Sequence, residues 1–416
     1  MTAFVAGFSE VKLKLPAGIP LASGSIIAES ANDDLYARAM IVQHDDYAAA
    51  ILSCDLFGVP GRFVTEVRNI VYSATKRKIE ELAIMITATH THHGPALPNL
   101  SPNVPVMESR SRGMKYDDEA LTRQLGEQLA ATVIHAWNNR GQASFKIGTS
   151  LVPSTTMHNR RTWDTYAGEP DLEILTLEVT REEGQSWILY NVGTHPLGSL
   201  GMNTYNADIF GLIAGEMKQR CGSKNIVLPL IGAAGNVNPG SFQAFSEKRA
   251  MYVPESLPTI VHDICDGIEN GVKNGTKITG DVLRVVVKLV SIPVAEPDFA
   301  NNFPFLRIMG NDPNFTLDTQ VQVIQIGNIA IVGLPGEPMA VLGRKIKELG
   351  VKLGFQKVLV TSLTNDFIGY YFPPESYDAG GYETRFCAHR DAGNIIMDSV
   401  EQVLEKIKDL DEETPS

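Results

Sequence analysis

Residues 82–87 (LAIMIT) are almost wholly apolar, and the chain then turns abruptly into Thr89-His90-Thr91-His92-His93-Gly94-Pro95. A short run without a polar face reads as a strand covered on both sides, so other layers must pack above and below it. The runs 37–42 (ARAMIV) and 48–56 (AAAILSCDL) read as strands from their length and apolar density. Between these and 82–87, residues 61–80 place Val64, Val67, Ile70 and Val71 on one face, which predicts an amphipathic helix. Strand, helix and strand at this spacing predict a right-handed crossover between parallel strands. The histidine cluster then sits at a strand's C-terminal end, where α/β sheets gather their active sites.

The alternation continues along the chain. Residues 116–137 read as a helix opened by Asp117, Asp118 and Glu119, whose charges suit a helix N-terminus. Strands are expected at 145–147, 172–179, 187–192, 226–230 and 358–361, and β-rich stretches at 282–292 and 321–332. Helices are expected at 208–220, over most of 241–274, at 339–349 and at 392–410. The Pro- and Asn-rich piece 293–315 reads as a large surface loop of one catalytic domain rather than a boundary.

Charge and cysteine usage narrow the partners. The 36 basic and 48 acidic side chains give a formal charge of 36 − 48 = −12. Such a surface repels phosphate backbones and anionic lipid, so nucleic acid is not an expected partner. The four cysteines (Cys54, Cys221, Cys265, Cys387) are scattered without a CxxC pair, which reads as reduced thiols. The opening residues lack the pattern of a signal peptide, and no window approaches a membrane span. The expectation is a cytoplasmic chain without stable membrane insertion, acting on a small molecule; a homo-oligomer is compatible with this.

Five motifs carry chemistry. In extended backbone, alternation would point His90 and His92 the same way, and paired neutral imidazoles suit a zinc-type ion. Thr194-His195-Pro196 follows the strand expected at 187–192, and its histidine is either a further ligand or a structural residue. Gly333-Leu334-Pro335-Gly336-Glu337-Pro338 presents one carboxylate at the end of an apolar run, where a surface glutamate is the plain alternative. The segment from Asn365-Asp366-Phe367 through Tyr370-Tyr371 to Tyr382-Glu383 is rich in phenols, which bind zinc, donate to oxyanions or simply pack. His158-Asn159-Arg160-Arg161 offers cations that either clamp an oxygen or remain solvated.

Taken together, THTHHGPA, NVGTHP, HNRR, LPGEP and NDFIGYYFPPESYDAGGYE resemble, in kind and spacing, the motifs of neutral (non-lysosomal) ceramidases. The resemblance runs from about Gly24 to the C-terminus and concerns that family's zinc-dependent catalytic domain. It implies an α/β fold, a four-layer α/β/β/α sandwich, formed by residues 1–416 as one catalytic domain without the family's C-terminal β-sandwich. It implies Zn²⁺ ligands at His90, His195, Glu337 and Tyr370, with Tyr371 the rival of Tyr370. Tyr370 and Tyr382 lie twelve residues apart, as the family's ligand and catalytic tyrosines do. His92, Arg160 and Tyr382 match the catalytic positions.

The departures bear on substrate. His93 and Ala96 stand where the family usually has small polar or Gly residues, and His158 and Arg161 flank the matched arginine and imply a more polar pocket. No exposed apolar stretch suggests a groove for a sphingoid base. The implied activity is hydrolysis of an amide in a small, polar, non-ceramide substrate by zinc-activated water. An ester, lactone or sugar-derived C–O bond is the alternative substrate, and a metal-stabilised binding protein the non-catalytic one.

Overall fold

The computed structural model describes residues 4–22, 27–31, 34–95, 97, 118–198, 203–222, 225–246, 249–295 and 315–412. Two sheets organise them. The larger has nine strands, in the order Val227–Ile231, Ser186–Val192, Glu173–Arg181, Arg140–Leu151, Val5–Lys12, Tyr36–His44, Tyr47–Cys54 and Ile84–Ala88, with Thr276–Lys277 paired to Arg140–Leu151. Its interior pairs are antiparallel, and the pair at each end is parallel. The smaller sheet runs Leu283–Pro293, Thr316–Ile326, Ile329–Gly333 and Lys357–Thr361, again with a parallel pair at one edge.

Side-chain alternation divides the apolar residues into three cores. Phe8, Met40, Ile51, Leu177 and Leu189 of the large sheet meet Ile324, Ile326, Ile331 and Leu359 of the small one, so the sheets pack on each other. The opposite face of the large sheet buries the helices Gly61–Ala74, Asp118–Asn138, Asp208–Cys221 and Leu257–Lys273. The opposite face of the small sheet buries Ala340–Lys352 and Ala392–Glu412. The chain is a mixed α/β protein.

The parallel pairs position the functional loops. Tyr47–Cys54 and Ile84–Ala88 are joined through the helix Gly61–Ala74, as the spacing predicts. Ser186–Val192 and Val227–Ile231 are joined through Asp208–Cys221, and Ile329–Gly333 and Lys357–Thr361 through Ala340–Lys352. Each pair ends flush: Cys54 is opposite Ala88, Val192 opposite Ile231 and Gly333 opposite Thr361. The segment after Thr361 laces the ends together, since Ser362 N donates to Ile231 O (2.8 Å) and Asn365 N to Ile86 O (2.7 Å).

Several elements differ from expectation for local reasons. The first helix stops at Ala74 because Lys76 and Arg77 take left-handed backbone (φ 54° and 63°). Its buried face uses Phe63, Val64, Val67 and Val71, leaving Ile70 37% exposed. The β-rich stretch near 321–332 is a hairpin of two strands broken at Gly327 (φ 54°). A hairpin, Phe242–Ser246 with Arg249–Tyr252, occupies the start of the region expected to be helical. The start of the helix expected from 116, and most of the 293–315 loop, lie outside the described residues. No helix among the described residues is long and apolar enough to cross a membrane.

Candidate metal centre

His90 lies two residues past the end of Ile84–Ala88, His195 three past Val192, and Glu337 four past Gly333. The flush strand ends therefore bring residues from three crossovers to one point. His90 does not continue the strand: its backbone is left-handed (φ 61°), an unusual state for a residue with a Cβ. The expected period-two alternation therefore does not explain why His90 and His92 face each other. The turn does, with ring centroids 5.0 Å apart.

Second groups fix the imidazoles. His90 Nδ1 lies 2.7 Å from Phe57 O, and His195 Nδ1 lies 2.7 Å from Ala234 O. A carbonyl can only accept, so each Nδ1 carries a proton, and in the neutral ring the Nε2 lone pair is the one left to face the site. Both Nε2 atoms lie 3.1 Å from Glu337 Oε2. His90 Nε2 and Glu337 Oε2 are buried and have no hydrogen-bond partner despite this closeness. Burial holds the His195 and His92 imidazoles below their ordinary pKa. Burial pushes the Glu337 carboxyl upward, but His90 and His195 outweigh it and leave the group well below the usual carboxylate range.

With both rings neutral, three acceptors meet around 3.1 Å contacts, and acceptors cannot satisfy one another. Tetrahedral coordination with bonds of about 2.0–2.1 Å places neighbouring ligand atoms about 3.3 Å apart, so the spacing suits a small divalent cation. Neutral imidazoles with Nδ1–H on a carbonyl, beside an ionised carboxylate, are also the protonation states that metal ligation requires. The residues present fit a metal ion.

His92 belongs to the same cluster. The ligand atoms of His90, His92 and His195 all lie within 4.8 Å of one another, so position alone does not set His92 apart as a non-ligand. Its Nε2 is buried and without a hydrogen-bond partner. His93 faces elsewhere: its carbonyl pairs with Asn206, and its buried imidazole is outside the group.

The tyrosines separate by register. Glu337–Pro338 pairs in parallel with Tyr370–Tyr371, placing Tyr370 beside Glu337. Tyr370 OH lies 3.5 Å from His195 Nε2, while fully buried Tyr371 packs into the core beneath the small sheet. The approach needs glycine at two points. A Cβ at Gly336 (φ 65°) would meet Gly369 O at 2.4 Å, and one at Gly235 would meet Glu337 O at 2.7 Å. Burial, then Glu337, pushes the Tyr370 phenol well above its usual pKa, so it stays protonated unless a cation offsets them.

Arg160 and Tyr382 complete the neighbourhood. Arg160 Nε donates to Glu383 Oε1 (2.7 Å) and Nη2 to Gly235 O (2.6 Å). Its guanidinium carbon sits 5.5 Å from the Tyr370 ring centre and 5.9 Å from that of Tyr382. Tyr382 is 51% exposed at the rim, and burial of its phenol followed by Glu337 raises its pKa. All seven residues singled out in the sequence are thus neighbours. Sequence reading missed the groups behind them: the carbonyls of Phe57 and Ala234, which carry no side-chain signal, and the carboxylate of Glu383.

No protein-family model matches the sequence, and no curated protein matches it. Solved structures do match in fold. The neutral ceramidase from Pseudomonas aeruginosa superposes with a TM-score of 0.79 at 13% identity, over 99% of this chain and 75% of that one. A ceramidase complexed with C2 superposes with a TM-score of 0.81 at 12% identity, over 99% and 76% respectively. The fold is therefore that of a ceramidase-like α/β domain.

Proposed function

We propose that this chain is a zinc-dependent hydrolase that cleaves an amide in a small, polar, non-ceramide substrate. The observation that carries the reading is the buried meeting of His90 Nε2, His195 Nε2 and Glu337 Oε2, a donor set that suits a divalent cation. His90, His195, Glu337 and Tyr370 would hold the ion. Zinc there supplies Lewis acidity and acidifies water.

The remaining chemistry belongs to side chains. His92, neutral and with its Nε2 unpartnered, accepts a proton from the attacking water and delivers one to the departing nitrogen. Tyr382, protonated at neutral pH, donates a hydrogen bond to the developing oxyanion. Arg160 adds fixed positive charge beside both phenols. The free state of all four cysteines supports a reducing, cytoplasmic setting. The packing of the three cores supports a four-layer α/β/β/α sandwich within one catalytic domain.

The test is turnover of short N-acyl amide, ester and glycosidic chromogenic probes before and after chelation. The reading expects amide cleavage that chelator abolishes and zinc restores. Full turnover in chelator, or no zinc uptake, overturns it. Cleavage of esters alone moves the assignment to a C–O bond.

A further inference from the structure

Tyr382 and Glu383 are consecutive but face opposite environments. Tyr382 is 51% exposed, whereas Glu383 is 1% exposed and ionised beneath it. The Glu383 carboxylate is shared by two adjacent guanidiniums: Oε1 accepts from Arg160 Nε at 2.7 Å and Oε2 from Arg161 Nη1 at 2.6 Å. Arg161 is fully buried and anchored elsewhere, donating to Asp164 (2.9 Å), Ser376 O (2.9 Å) and Gly380 O (2.6 Å). It therefore fastens the turn leading into Tyr382. Arg160 is held on two sides, by Glu383 and by Gly235 O, and Gly235 N in turn donates to Pro338 O beside Glu337. That leaves its face over the two phenol rings.

We propose that Glu383 is the positioning residue for both Arg160 and Tyr382, setting the cation and the phenol over one point of the metal centre; this rests on the hydrolase reading. The carboxylate orients Arg160 through Nε, which fixes the guanidinium plane. It ties the backbone of Tyr382 to the same anchor, and it separates two guanidiniums that would otherwise repel in a buried space. Glu383 touches no substrate in this account; it acts through its neighbours.

The experiment uses the zinc-loaded full chain as parent, E383Q, E383D, R160M and E383Q/R160M, on whichever acyl probe shows chelator-sensitive turnover. E383Q is expected to keep the parent's zinc content and KM while kcat falls roughly a hundredfold, the scale of a 1 Å misplacement. Adding E383Q to R160M should cost much less than that, because one partner is already gone. E383D keeps the charge and should recover part of kcat. A crystal structure of E383Q is expected to show Arg160 withdrawn from the Tyr370 and Tyr382 rings. Parent-like kcat in E383Q, zinc loss in step with activity, or unmoved Arg160 and Tyr382 overturns the proposal. If E383Q does not fold, E383D carries the same readouts. If no probe is turned over by the parent, the hydrolase reading fails, and the crystal structure still decides the positioning.

Discussion

The metal cradle and the arginine knot are neighbouring buried clusters of charge built on opposite principles. In the knot, Arg161 meets Glu383, Asp164 and two carbonyls, so donors and acceptors match. In the cradle, His90 Nε2, His92 Nε2 and Glu337 Oε2 are all buried without hydrogen-bond partners. Both clusters are desolvated, so the difference lies in whether each polar atom has somewhere to direct its lone pair or proton. A satisfied cluster is scaffolding. An unsatisfied one, held in place by carbonyls behind it, fits a metal ion.

Four measurements bear on that contrast. Arg161→Met should have the largest effect, because it strands Glu383 and Asp164: about 3–5 kcal/mol of unfolding free energy is lost, read by chemical denaturation. A loss under about 1 kcal/mol would mean the knot is not the scaffold it resembles.

Zinc should stabilise the parent through mass action, by about 2.7 kcal/mol at a hundred times its dissociation constant. Glu337→Gln should abolish that gain, because it removes the carboxylate that faces both imidazoles. Paired thermal melts with chelator and with zinc check this. A zinc-dependent gain in the variant equal to the parent's would remove Glu337 from the cradle.

A third charged cluster offers a pH test at the seam between the sheets. Glu173 accepts from Lys347 (3.0 Å), Lys357 (2.8 Å) and Thr149 (2.7 Å). Burial raises its pKa, but the lysines and the hydroxyl outweigh this and bring it to about 2. A carboxylate depressed in the folded state contributes stability above its unfolded pKa and loses it as pH falls. The contribution, on the order of 2 kcal/mol, should therefore be present above pH 4.5 and disappear between about 4.5 and 2. Glu173→Gln should flatten that part of the stability profile relative to the parent. The same slope in both would remove Glu173 from the acid response.

The smallest effect belongs to Tyr371→Phe, which deletes a buried hydroxyl without a hydrogen-bond partner. Stability should change by less than about 1 kcal/mol, with zinc content unchanged by metal analysis. Loss of zinc would make Tyr371, not Tyr370, the phenol of the cradle.

The crossover from Tyr47–Cys54 to Ile84–Ala88 was legible because apolar runs and an amphipathic helix are local patterns. The left-handed backbone at His90 was not, since nothing in a Thr-His-Thr string announces it. Register was equally hidden: the choice between Tyr370 and Tyr371 depends on a two-residue pairing with Glu337–Pro338, more than thirty residues away. The Phe242–Tyr252 hairpin was missed because its strands are short and lie beside a strongly periodic helix.

By itself the sequence determined which residue types could hold a metal and that they stand at the ends of buried strands, because side-chain chemistry and apolar periodicity are written locally. The tertiary structure decided that three flush strand ends meet, that two carbonyls turn the imidazoles' lone pairs inward, and that Glu383 lies under Tyr382. Those depend on contacts between distant segments, for which the chain carries no local signal.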